Sequence, residues 1–175
     1  MGFADAVRTC FRRYFTFSGR ASRPEYWWFV LFVLLGSFIL GLADAVFFGT
    51  TTVETDTSVT VTSDGPLAAL FSLATLIPGF SAGWRRMHDT GKSGLYLVYP
   101  LIVMVGIASF VGFMGAFDQA ASGNIAELFA GAFGIILIVA MIVLLISPLL
   151  VLWWLTRPSQ PGPNQYGPNP HEVTP

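Results

Sequence analysis

Four long apolar stretches follow one another along the chain, separated by polar segments. They cover about residues 26–48, 67–84, 95–117 and 128–155. Each is long enough to cross the roughly 30 Å hydrocarbon core of a bilayer as an α-helix. The pattern therefore predicts an all-α fold, a four-helix transmembrane bundle. Residues 1–157 would form the membrane domain and residues 158–175 an extended Pro/Gly-rich tail.

Two shorter segments complete the pattern. Residues 3–15 place Phe3, Val7, Cys10, Phe11 and Tyr14 on one helical face. This predicts an N-terminal interfacial amphipathic helix with its arginines near anionic headgroups, and a helix packed on the rest of the protein is the alternative. The Thr-rich loop at 49–66 is compatible with a hairpin or with disorder.

Charge sorts the connections by side of the membrane. All nine Lys and Arg residues lie before the first stretch, between the second and third, or after the fourth, at Arg8, Arg12, Arg13, Arg20, Arg23, Arg85, Arg86, Lys92 and Arg157. The other two connections carry only acids. By the positive-inside rule this predicts a multi-pass protein of the bacterial plasma (inner) membrane with both termini, and hence the tail, in the cytoplasm. Basic residues crowded at the membrane edge disfavour nucleic-acid binding.

Three predicted cytoplasmic clusters carry most of the distinctive side chains. They are Phe17–Trp27, Trp84–Gly94 and Gly162–Pro170. In that order they resemble the bacterial inner-membrane family catalogued as domain of unknown function 805. The matching residues are Phe17, Gly19, Arg20, Arg23, Glu25, Trp27, Arg85, Arg86, His88, Asp89, Gly91, Ser93, Gly94, Gly162, Asn164, Tyr166, Gly167 and Pro170. The resemblance implies four spans and brings no activity or cofactor. Asn169 stands where Asp is common in that family.

The first two clusters are expected to converge on one inner surface. Glu25 begins span one, Arg85 and Arg86 end span two, and Asp89 can face Arg20 or Arg23. One interpretation is a network of ion pairs that fixes the helix ends. The other is a site for an anionic headgroup or phosphate. The candidate residues are Arg20, Arg23, Glu25, Arg85, Arg86, His88, Asp89, Lys92 and Ser93.

The tail and the spans offer three more hypotheses. The motif residues Asn164, Tyr166 and Gly167 would form a turn that docks on the inner surface, with the tyrosine ring against Trp27 or Trp84. Asp44 is the only ionisable residue within the predicted spans, and it is either a functional acid or an acid solvated at the outer surface. A small-residue stripe would let another helix, including one of a second copy, approach closely; it comprises Ala108, Gly112 and Ala116.

These observations favour a non-enzymatic membrane component whose basic, aromatic inner face binds anionic lipids or partner proteins. A small channel or carrier is the alternative. A membrane-bound enzyme acting on headgroups is a third class, and only Arg85, Arg86, His88 and Asp89 are candidates for its chemistry. No catalytic, cofactor-binding or metal-ligating residue is predicted, since the ligand types that metals need are scarce.

Overall fold

The computed structural model describes residues 1–55, 58–63, 65–113 and 131–172. Its elements are, in order, α1 (Phe3–Arg12), α2 (Arg23–Phe48), β1 (Thr50–Thr55), β2 (Ser58–Ser63), α3 (Leu67–Asp89), a 3₁₀ helix (Gly94–Val98), α4 (Tyr99–Phe113) and α5 (Gly131–Thr156).

Four helical segments are long and apolar enough to cross a membrane, namely Arg23–Phe48, Leu67–Asp89, Gly94–Gly112 and Gly134–Thr156. The all-α, four-span prediction is confirmed. Parts of the predicted spans, at 114–117 and 128–130, lie outside the described residues, and so does Ala116.

The start of α2 follows the sequence signals. The Ser22 hydroxyl accepts a hydrogen bond from the Glu25 amide at 3.4 Å, and Pro24 occupies the first turn, where a missing N–H breaks no helical bond. The Glu25 carboxylate does not return to Ser22 to complete a capping box. It pairs with Arg85 on α3 instead, so the first turn of α2 is tied to the last turns of its neighbour.

The predicted N-terminal helix is present as α1, and it packs on α2 and α3. Ala6 and Cys10 are fully buried, and the Phe11 ring lies edge-on to Phe29 and Phe32 of α2. Burial, and secondarily the Glu25 carboxylate, raise the pKa of the Cys10 thiol to about 12. The polar face of α1 stays exposed.

At the opposite end of the bundle, β1 and β2 form an antiparallel hairpin with Thr50 opposite Ser63. Of the two alternatives for this loop, the structure forms the hairpin. Asp44, near the end of α2, is fully buried, and its carboxylate oxygens accept from the amides of Leu67 at 2.9 Å and Ala68 at 2.8 Å. The expectation of a solvated Asp44 is wrong, because this acid caps the N-terminus of α3 from a neighbouring helix.

Two prolines inside the spans each free a carbonyl, and each carbonyl finds a hydroxyl. Pro78 has no N–H for the carbonyl of Ala74, four residues earlier, and the Tyr14 hydroxyl donates to that oxygen at 2.9 Å. Pro148 likewise frees the carbonyl of Leu144, to which the Ser147 hydroxyl donates at 3.0 Å. Side-chain hydroxyls thus supply what the hydrocarbon cannot.

Apolar packing also ties the helices together. Met87 of α3 packs with Val151 and Leu155 of α5 in one buried cluster. A second cluster joins α4 to α5 through Ile107, Val111 and Leu137. The polar motifs therefore lie where α2, α3 and α5 meet.

Tyr14→Phe is expected to lower the free energy of unfolding by about 1–3 kcal/mol, because it leaves the Ala74 carbonyl without a donor. In a Pro78→Ala background the same change should have little effect, since an alanine at position 78 supplies the missing helical N–H. Unfolding in mixed micelles titrated with SDS measures this double-mutant cycle. Tyr96→Phe is the control, and equal effects in both backgrounds would contradict the assignment.

Candidate functional site

The first two sequence clusters meet in a buried arginine network. Arg85 pairs with Glu25, and Asp89 pairs with both Arg86 and Arg20, whose Nε lies 2.9 Å from the Asp89 carboxylate. All five side chains are at most 5% exposed. Three guanidinium groups thus share two carboxylates. Of the two interpretations of these clusters, the structure forms the network of ion pairs. The partner of Asp89 is Arg20 rather than Arg23.

Arg85 also holds the segment that follows α1. Its Nε donates to the carbonyl of Thr16 at 3.1 Å. The hydroxyl of Ser81, one turn earlier on α3, lies 2.6 Å from the same carbonyl and 3.0 Å from that of Arg13. Carbonyls at the end of a helix have no intrahelical donor, so α3 completes the hydrogen bonding at the end of α1.

Arg86 serves the end of α5 in the same way. Its Nε donates to the carbonyl of Leu155 at 3.0 Å, and its Nη2 donates to the carbonyl of Arg157. A cation at a helix C-terminus also opposes the negative end of the helix dipole. Arg86 therefore fixes the last span against α3.

Arg20 holds the tail. It donates to three tail carbonyls, those of Gln160 at 2.5 Å, Gly162 at 2.7 Å and Gly167 at 3.4 Å. Asp89 orients this guanidinium through Nε and itself accepts from the Ser159 hydroxyl at 2.5 Å. The backbone N–H of Gln160 donates to the backbone carbonyl of Asp89 at 2.9 Å. Residues 158–172, predicted to be extended, thus lie in turns against the network.

The tail motif builds one of these turns. Asn164 and Gly167 exchange both backbone hydrogen bonds at 3.0 Å, and the Asn164 side chain accepts from the Tyr166 amide and donates to the His88 carbonyl. The Tyr166 ring stacks on His88, with centroids 3.8 Å apart and planes 3° from parallel. His88 Nδ1 lies 3.0 Å from the Gly19 carbonyl, an acceptor, so Nδ1 carries the hydrogen. The expected partners of Tyr166, Trp27 or Trp84, are replaced by His88.

Asn169 uses a donor that an aspartate lacks. Its amide nitrogen donates to the Glu172 carboxylate at 2.8 Å, and its oxygen accepts from the His171 amide at 3.0 Å. Glu172 also accepts from the Gly162 amide. An aspartate at position 169 would set two carboxylates side by side, so the asparagine here is matched to Glu172.

Three candidate residues stay outside the network. Arg23 is exposed and lines a groove with Trp27 and Trp28. The Ser93 hydroxyl accepts from the Leu95 amide at 3.3 Å at the start of the 3₁₀ helix. Lys92 lies over the Trp154 ring at 4.6 Å. The candidate headgroup residues are therefore not all together. Arg85 and Arg86 are buried in ion pairs, and Lys92 is not.

Sequence reasoning missed several residues of this region. Arg157, Ser159 and Gln160 precede the tail motif and carry no recognisable pattern, yet the last two contact Asp89. Ser81 likewise carries no sequence signal for its contacts with the segment after α1. Within the described ranges, no cluster of three or more His, Cys, Asp or Glu side chains is arranged to hold a metal ion.

Four membrane-spanning helices joined by a buried inner network define an integral, multi-span membrane protein. The chain belongs to the family described as protein of unknown function DUF805, whose sequence profile matches residues 14–168. It is 30% identical over 95 residues to inner membrane protein YhaH of Escherichia coli K12, covering 54% of this chain and 71% of the relative. It is also 30% identical over 96 residues to inner membrane protein YhaI of the same organism, covering 54% of this chain and 70% of that relative. No solved structure matches the chain.

Arg20→Lys is expected to release the tail while keeping the charge beside Asp89, because an ammonium cannot reach three carbonyls in the fork geometry of a guanidinium. Hydrogen exchange of peptides covering residues 158–172, measured in nanodiscs, should become about tenfold faster or more. Arg12→Lys on the exposed face of α1 is the matched control. Tail amides that already exchange at random-coil rates in the unmodified protein would contradict the docking.

Proposed function

We propose that the protein is a non-enzymatic component of the inner membrane whose cytoplasmic face binds anionic lipid headgroups. The observation that carries this is the division of the basic residues into two groups. Arg20, Arg85 and Arg86 are buried in ion pairs. Within the described part of the chain, no carboxylate lies within ion-pair distance of the other six, which are Arg8, Arg12, Arg13, Arg23, Lys92 and Arg157.

The surroundings of these unpaired cations support a lipid partner. Trp27 and Trp28 stand beside Arg23 at the start of α2, and Trp153 and Trp154 stand near the end of α5. Tryptophan favours the headgroup level of a bilayer. Each Lys or Arg near an anionic surface contributes about 1 kcal/mol to attraction. Arg23, Lys92 and Arg157 lie beside these tryptophans, so we expect them at the depth of the lipid phosphates.

The contacts of the network also support an inner location for both termini. The segment after α1, the start of α2, the ends of α3 and α5, and the tail all contact one another there. The hairpin and Asp44 lie at the opposite end. Every basic residue lies in the segments at the network end, and by the positive-inside rule this favours a cytoplasmic location for that end.

Cysteine labelling tests this sidedness. Ser18→Cys and Gln165→Cys, both exposed at the network end, should react with an impermeant maleimide only after spheroplasts are permeabilised. Thr51→Cys in the hairpin should react in intact spheroplasts. The native Cys10 need not be removed, because it is buried and its raised pKa, about 12, keeps it a thiol at neutral pH. The reverse labelling pattern would refute the orientation.

Replacing the α1 arginines tests lipid binding. The triple variant Arg8→Gln, Arg12→Gln and Arg13→Gln should co-purify with a smaller fraction of phosphatidylglycerol, because it removes three exposed charges without touching the network. Native mass spectrometry from native-lipid extracts measures the retained lipids. The corresponding triple lysine variant is the control and should behave like the wild type. An unchanged lipid fraction in the glutamine variant would count against the proposal.

A small channel or carrier remains the untested alternative from the sequence. Flux of ions and small solutes into liposomes containing the protein distinguishes it from a lipid-binding component. Substrate-selective flux would favour the channel or carrier.

A further inference from the structure

A polar cavity of about 360 Å³ lies beside the arginine network. It is open to the surface and is bordered by the connection between α3 and the 3₁₀ helix on one side and by the start of the tail on the other. Its lining includes Thr90, Lys92, Arg157, Ser159 and Gln160. Gly91 permits the close approach of these two segments. Its φ of +76° suits glycine, and a Cβ there would stand 2.6 Å from the Gln160 side-chain oxygen.

Two cationic residues, Lys92 and Arg157, line the cavity, and none of its lining residues is acidic. Lys92 Nζ lies 4.6 Å from the centre of the Trp154 ring and 5.7 Å from that of Tyr96. Arg157 Cζ lies 4.8 Å from the centre of the Trp153 ring. Cation–π contacts hold both charged groups in place and occupy none of their hydrogen-bond donors with an acceptor oxygen.

The two hydroxyls and the amide oxygen that line the cavity already form hydrogen bonds within the protein. The Thr90 and Ser159 hydroxyls donate to Met87 and Asp89, respectively, and the Gln160 side-chain oxygen accepts from Asn164. Asp89, the nearest carboxylate on this path, is neutralised by two arginines. The two cationic side chains of the lining supply positive charge and N–H donors, which complement an oxyanion.

We propose that this cavity, the Lys92–Arg157 site, binds the phosphate group of an anionic phospholipid. Arg and Lys are the side chains that bind phosphate oxygens through charge-assisted hydrogen bonds. Trp153 is 52% exposed beside Arg157 and places the site at headgroup depth. The inference rests on the proposed function and narrows it, because it adds one defined lipid position to a diffuse basic surface.

The double variant Lys92→Ala with Arg157→Ala tests the site without breaking the network. The backbone N–H of Lys92 donates to the Met87 carbonyl, and the carbonyl of Arg157 accepts from Arg86. Both backbone contacts remain in the variant. Full-length protein in phosphatidylglycerol nanodiscs is analysed by native mass spectrometry. We expect the loss of a single tightly retained lipid, with affinity reduced about tenfold or more. The charge-preserving pair Lys92→Arg with Arg157→Lys should retain it, and tail hydrogen exchange verifies folding.

The outcomes separate this inference from the proposed function. If the double alanine variant keeps its full lipid complement while the α1 glutamine variant loses lipid, the site is refuted and the lipid-binding function stands. If neither variant loses lipid, both are refuted. Millimolar inorganic phosphate distinguishes the source of the anion. A lipid site keeps its lipid in that solution, and exchange of the lipid for free phosphate would overturn the lipid assignment.

Discussion

The fold depends on arginine side chains that complete the hydrogen bonding of backbone ends. Arg85, Arg86 and Arg20 serve the carbonyls after α1, after α5 and in the tail, respectively. Without these arginines, the backbone carbonyls at these places would lack hydrogen-bond donors at the edge of a nonpolar medium. Each unsatisfied carbonyl there costs roughly several kcal/mol. Glu25 and Asp89 make the solution possible, because three buried guanidinium groups without counter-charges would be far more expensive than the carbonyls they serve. The three sequence clusters shared with the family therefore meet in one buried ion-pair network.

The same constraint operates deeper in the spans, at two prolines. Pro78 and Pro148 each remove a helical N–H, and Tyr14 and Ser147 each supply a hydroxyl to the freed carbonyl. Asp44 does the converse at the other end of the bundle, where it accepts from the first amides of α3. At each of these three places a specific side chain completes the backbone hydrogen bonding.

The sequence was sufficient for the helices and for the convergence of the clusters. Hydropathy located the spans, and Ser22 with Pro24 marked the start of α2, because both signals are local. The roles of individual residues were not predictable in this way. Adjacent Arg85 and Arg86 project about 100° apart on one helix, so only the surrounding helices determine that one serves α1 and the other α5. The Pro/Gly-rich composition of the tail indicated an extended chain. Composition carries no information about the contacts between the tail carbonyls and Arg20, which hold the tail in turns.

The tail contacts have a consequence for biogenesis. Arg20, near the beginning of the chain, takes its carbonyl partners from residues 160–167, and Asp89 takes Ser159. These partners follow all four membrane-spanning helices in the sequence. The arginine network at the membrane edge therefore stays incomplete until residues 159–167 have been synthesised and have left the ribosome.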